Sequence, residues 1–74
     1  MRAEDYQRRR QELAGWPVGI VSYKFGDRYV CEIDNVSPGA RVARAEGSTR
    51  EEAERAAIEA AERRLGRTRV HQTE

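Results

Sequence analysis

Two runs of arginine are the first residues of this 74-residue chain whose type and spacing could do chemistry. Arg8, Arg9 and Arg10 stand together close to Tyr6, and Arg63, Arg64, Arg67 and Arg69 follow one another near the other end. A guanidinium grips a phosphate or carboxylate through two parallel hydrogen bonds. If the fold brings both runs to one surface, several phosphates of a nucleic acid are met at once, with an affinity that falls steeply as salt rises. Arg8, Arg9, Arg10, Arg63, Arg64 and Arg67 are therefore the candidate nucleic-acid contacts. The same runs also read as a solvated face and a solvated tail, which require no ligand. Lys24 is the single lysine among 14 basic residues, a bias that codon usage or surface ion pairing explains as well as anion recognition does.

Other reactive types are sparse. His71 is the only histidine and stands in an expected tail. Cys31, the only cysteine, has no partner for an intrachain disulfide and sits in an alternating apolar run, where it reads as a small buried hydrophobe. Paired carboxylates occur at Glu51 with Glu54 and at Glu32 with Asp34. The first pair suits the positive end of a helix dipole and the second suits a sheet edge or turn. General acid–base work needs a pocket, for which a sheet and one helix leave little room. The reading is a protein without catalysis, metal or cofactor.

The chain suffices for one core, with 38% apolar and 36% charged residues and a formal charge of +1. It reads as one domain over residues 1–74, with flexible ends at 1–2 and 67–74. The opening residues lack the apolar stretch of a signal peptide, and no run of roughly 18 apolar residues occurs. A cytoplasmic location without membrane contact is the expectation.

Residues 3–14, AEDYQRRRQELA, predict a short helix with a thin stripe formed by Tyr6 and Leu13, stopped by Gly15 and Pro17. Trp16 then covers one end of the core. Residues 18–25 and 28–34, VGIVSYKF and RYVCEID, predict two strands of a hairpin. A two-residue loop at Gly26-Asp27 would put Val21 and Tyr23 on one face with Val30 and Glu32. A three-residue loop through Arg28 instead gathers Val21, Tyr23, Phe25, Tyr29, Cys31 and Ile33 on the covered face. The second register is preferred because it separates apolar from wet positions more cleanly. It leaves Val18, Ile20 and Val30 on the outer face, joined there by Val42 of a third strand over 40–46. Ala43 and Ala45 of that strand face the helix.

Residues 50–65 predict the main helix. Thr49 and Glu52 have capping-box spacing, Glu51, Glu52 and Glu54 complement the dipole, and Gly66 ends the element. Ala53, Ala56, Ala57, Ala60 and Ala61 form a flat stripe edged by Ile58 and Leu65, low enough to sit close on a sheet. Tyr23, Phe25, Tyr29 and Trp16 would then supply most of the core volume. The fold class is thus α+β, a three-stranded antiparallel sheet packed on one side by an alanine-rich C-terminal helix, with a short N-terminal helix.

The order helix, three strands, helix, closing with EGSTREEAERAAIEAAERRLG, resembles the double-stranded-RNA-binding domain over about residues 28–66, with residues 3–14 in the place of its first helix. That family contacts phosphates with lysines at the start of the last helix, positions that fall here around Arg50, Glu51 and Arg55. Glu51 has the opposite sign. The stretch YVCEIDNVSPGARVARAEGSTREEAERAAIEAA is also similar to the small HicB-type antitoxin domain, whose helix entry matches Ser48, Thr49, Glu51, Glu52 and Ala53. That resemblance implies a protein partner.

Two functions follow. One is a protein-interaction module, self-associating or antitoxin-like, that covers an outer sheet face carrying Ile20, Val30 and Val42. The other is binding of double-stranded RNA or another nucleic acid through the arginine segments. No small molecule is implied.

Overall fold

Two tight turns and a capped helix organise the chain. The computed structural model describes residues 3–36 and 39–72, with side chains over 4–36 and 39–66. Four strands, β1 (Ala3–Leu13), β2 (Trp16–Phe25), β3 (Arg28–Asn35) and β4 (Arg41–Gly47), precede one helix, α1 (Arg50–Gln72). The sheet is an antiparallel meander in the order β1-β2-β3-β4. No helix among the described residues is long and apolar enough to cross a membrane.

The segment expected as an N-terminal helix is instead the first strand, so the sheet has four strands rather than three. Its sequence has little apolar periodicity of either kind, and pairing with β2 decides the outcome. Leu13 pairs with Trp16 across the two-residue loop Ala14-Gly15. Both loop residues have positive φ, 53° and 83°, the pattern of a type I′ turn whose twist suits a hairpin. Gly15 is thus a hairpin residue and no helix stop. Pro17 is tolerated in β2 because it falls just beyond Val18↔Asn35, where the β2–β3 ladder ends.

Ala14 holds a left-handed conformation that costs an L-residue with a plain Cβ roughly 1 kcal/mol. Replacing Ala14 with glycine is expected to stabilise the protein by about 0.5–1 kcal/mol. A higher urea midpoint with an unchanged denaturant slope is the expected result, and a lower midpoint contradicts the turn assignment.

The second hairpin also has a two-residue loop, with Phe25 paired to Arg28, so the three-residue register is incorrect. Gly26, at φ 68°, occupies the first loop position, where a type II′ turn requires glycine. A one-residue slip reverses the faces of one strand relative to the other. The expected covered set for β3 holds, with Tyr29, Cys31 and Ile33 toward the helix, but for β2 it inverts. Ile20 pairs with Ile33 and Ser22 with Cys31, so Val18, Ile20 and Ser22 lie under α1 while Val21 and Tyr23 lie on the other face.

The core beneath α1 therefore consists of Leu13, Val18, Ile20, Cys31, Ile33, Val42 and Ala43, met by Ala53, Ala57, Ala61 and Leu65. The helix contributes every fourth residue; Ala56 is exposed and Ala60 only half-buried. Small helix side chains against β-branched sheet residues keep the two layers close. Trp16 and Tyr29 pack at the margin of this core, whereas Phe25 is exposed.

Thr49 caps α1: its hydroxyl accepts the Glu52 N–H at 3.1 Å and its carbonyl accepts the Ala53 N–H at 3.0 Å. Glu52 reaches one residue further back than in the usual capping box, accepting the Ser48 backbone N–H at 2.7 Å and its hydroxyl at 3.0 Å. The bond from the Ser48 backbone, then that from its hydroxyl, holds the Glu52 carboxyl below its ordinary value. At the far end the helix continues through Gly66 to Gln72 and does not stop at the glycine.

Candidate functional site

The face of the sheet opposite α1 carries no covering element among the described residues, and strand alternation determines what it displays. Arg8 and Arg10 of β1 pair with Val21 and Gly19 of β2 on this side. Beyond them lie Val30, Glu32 and Asp34 of β3 and Arg44 and Glu46 of β4.

One end of this face is aromatic. The β1–β2 register shifts between Glu4 and Gln7, so Asp5 and Tyr6 together oppose the single residue Tyr23. Asp5 takes the positive φ of this bulge, 56°, a conformation that a short polar side chain tolerates. The bulge aims Tyr6 over Tyr23, with ring centroids 4.9 Å apart and planes inclined by 27°. Tyr6 remains 63% exposed, so its outer ring face is open to solvent. Behind the bulge, Arg50 of α1 lies 5.3 Å from the Tyr29 ring centroid and donates to the Asp5 carbonyl.

The β3–β4 half of the face is tied together by charge. Glu32 accepts from the Tyr23 hydroxyl at 2.9 Å and from Arg41 at 3.3 Å, and lies 3.6 Å from Arg44. Arg41 also reaches Asp34 at 3.4 Å, and Arg44 reaches Glu46 at 3.1 Å. Burial, then the hydrogen bond to Glu32, raises the Tyr23 phenol above its ordinary value. Exposed pairs of this kind contribute little stability individually, but they fix side-chain positions across the strands.

At the other end of the face from the tyrosines, where Gly19 stands between Arg10 and Asp34, lies a shallow concavity of about 290 Å³, bounded by Arg8, Arg10, Val21, Asp34 and Val36 with Gly19 at its base. Arg8 and Arg10 are exposed and, among the described residues, have no ion-pair or hydrogen-bond partner. A side-chain Cβ at Gly19 would meet nothing within 4 Å. Asp34, on the far wall, is already occupied by Arg41.

The expected basic patch is divided by the strand itself. With a period of two, Arg9 points to the helix side, where its Nη1 meets Glu54 at 3.2 Å. The same carboxylate accepts the Ser22 hydroxyl at 3.1 Å, which satisfies the one buried polar side chain among the described residues. Arg63 and Arg64 are exposed on α1, and Arg64 donates to the Val42 carbonyl of β4 at 2.8 Å, toward the sheet edge opposite β1. The side chain of Arg67 lies outside the described residues. Arg8 and Arg10 therefore share a surface with neither Arg9 nor Arg64.

Of the three residues assigned to the outer face, Ile20 is 1% exposed and belongs to the helix-covered core. Val42, 8% exposed, joins that core because β4 bulges where Ile33↔Ala43 gives way to Asp34↔Arg41. Val30 does lie on the open face, paired with Tyr23 and Glu46, though neighbouring side chains leave it 2% exposed. Sequence reading missed Tyr6, Gly19 and Tyr23 as a group, because the helix expected for 3–14 separated Tyr6 from the sheet. The Ala14-Gly15 pair between two pairable runs was the signal.

Cys31 lies beneath the helix, away from this face. Burial, then the negative charge of Glu54, pushes its thiol up to about 11. The unfolded thiol ionises near 8.5, so the folded state retains the proton longer. Stability from this group is intact below about pH 8.5 and declines by up to about 1.4 kcal/mol per pH unit as pH rises toward 11. Urea unfolding of the wild type and Cys31→Ala at about pH 8 and pH 10 checks this, the variant losing less between the two. Equal losses would contradict it. No three metal-ligating side chains cluster among the described residues.

Compared with known proteins, the chain matches no family model, no curated protein and no solved structure.

Proposed function

We propose that this chain is a non-enzymatic protein-interaction module that receives a protein partner, a second copy included, on its open sheet face. The observation that carries the reading is an uncovered face on which Tyr6, Tyr23 and Val21 adjoin a concavity with two unpaired arginines. Exposed aromatic and arginine side chains are the types that dominate interface energetics. The cross-strand pairs of Glu32, Arg41 and Arg44 form a polar border beside them. A protein partner also accords with the antitoxin resemblance of residues 29–61, and the cytoplasm is the proposed location.

Arg8 and Arg10 beside the open ring of Tyr6 favour a second reading, a nucleic-acid strand laid on the same face with bases stacked on tyrosine. Against it, Glu32, Asp34 and Glu46 share that surface and repel phosphate.

Light scattering of the purified protein separates the readings. It is run over a concentration series, with and without a short RNA duplex or single strand, at about 50 mM and about 300 mM salt. A species larger than the monomer, indifferent to RNA and salt, supports self-association; an RNA complex lost at high salt supports the second reading. A monomer that ignores RNA directs the search to a different protein, captured on the wild type and lost on Tyr6→Ser.

A further inference from the structure

Gly19 has no structural reason to be glycine. It lies in the middle of β2, paired with Arg10 on one side and Asp34 on the other. Its φ is not in the left-handed region, and a Cβ would meet nothing within 4 Å. A glycine in a strand interior lowers stability relative to a residue with a side chain, so this backbone accepts a cost that packing does not impose. Gly19 lines the concavity of about 290 Å³, which has room for one amino-acid side chain or a comparable group.

The surroundings define the occupant. Arg8 and Arg10, two residues apart on one strand face, stand about 7 Å from each other along β1. Both guanidinium groups lack partners among the described residues. Val21 and Val36 supply apolar walls. A single carboxylate on a short methylene stem satisfies both features, its oxygens between the two guanidinium groups and its stem over the glycine. A phosphate chain fits less well. Asp34, which borders the concavity, is offset by its pair with Arg41, but Glu32 stands in the next row, so each further negative charge of a phosphate chain meets more acid than a single carboxylate does.

We infer that the notch over Gly19 is a docking site for a glutamate or aspartate side chain of a partner protein, held by Arg8 and Arg10. This rests on the interaction-module reading and specifies its point of attachment. Gly19→Val offers an unusual test, since the added side chain projects into the notch from a Cβ that meets nothing within 4 Å. The variant folds, with stability equal to or above that of the wild type, and loses the site.

The probe is a capped pentapeptide with one central glutamate, compared with its glutamine analogue and with inorganic phosphate. Binding is read from amide and arginine side-chain resonances of the full chain. The expected result is a saturable shift centred on Gly19, Val21, Arg8 and Arg10 in the millimolar range, at least about tenfold weaker with glutamine. Gly19→Val and the double variant Arg8→Ser/Arg10→Ser abolish it. Equal shifts from phosphate and from the glutamate peptide overturn the side-chain assignment in favour of a general anion site. No shift at Gly19, or binding unchanged in Gly19→Val, overturns the notch. If light scattering or partner capture nevertheless shows association, the module reading survives that failure. If association is absent while the peptide binds at Gly19, the module reading falls and the carboxylate site stands alone.

Discussion

Ile20→Ala is expected to destabilise the protein by about 2–4 kcal/mol. Ile20 is 1% exposed, pairs with Ile33 and lies in the layer under α1. Its truncation removes buried methyl and methylene contacts and leaves a cavity that alanines at 53, 57 and 61 are too short to fill. A domain of this size has total stability on the order of 4–10 kcal/mol, so a substantial fraction is lost. Urea unfolding should show a lower midpoint with the denaturant slope retained. The expected outer-face placement gives the opposite result, a change within about 0.5 kcal/mol, as for an exposed position. The measurement thus decides the β2–β3 register directly.

Gly47→Ala is expected to cost about 1–3 kcal/mol, against the usual advantage of alanine over glycine. The new Cβ would stand 2.8 Å from the Ala53 backbone nitrogen and 2.9 Å from Cβ and Oε1 of Glu52. The glutamate tip can move, but the nitrogen belongs to the first turn of α1 and moves only with the helix. Displacing that turn also draws Glu52 from Ser48 and disturbs the Thr49 cap. Gly47 has no left-handed φ, so the cost is entirely one of close approach. Far-UV circular dichroism with urea unfolding should show a native spectrum and a lower midpoint. An unchanged or higher midpoint would mean that the β4–α1 junction yields more easily than these distances require.

The helix and its cap were legible in the sequence because both signals are local: Thr49 and Glu52 are three residues apart and the alanines recur every fourth position. The antiparallel sheet and the inward placement of Ala43 and Ala45 were legible for the same reason. What failed was set by partners distant in sequence. Nothing within residues 3–14 specifies a strand; β2 supplies the other half of the ladder, and Ala14-Gly15 brings them together. The hairpin register failed differently. Placing Val21 and Tyr23 inside looked favourable because apolar volume was assumed to decide the face. The Gly26 turn decided it, and Ser22 could go inward because Glu54 of α1 accepts its hydroxyl. The candidate site was half legible: the arginines were visible, but the strand period that sends Arg9 inward and Arg8 and Arg10 outward became available only with β1.

The uncrossed order of the meander also bears on how the chain is made. Each strand pairs with the one synthesised just before it, so the sheet can assemble progressively behind the ribosome with little loop entropy to overcome. The element that covers Val18, Ile20 and Ile33 is α1, which follows all four strands. Until that helix emerges, the nascent sheet has an uncovered apolar side and is open to chaperone holding or to misassociation. Sequence changes that slow helix capping at Thr49 would therefore lower yield before they alter the finished molecule.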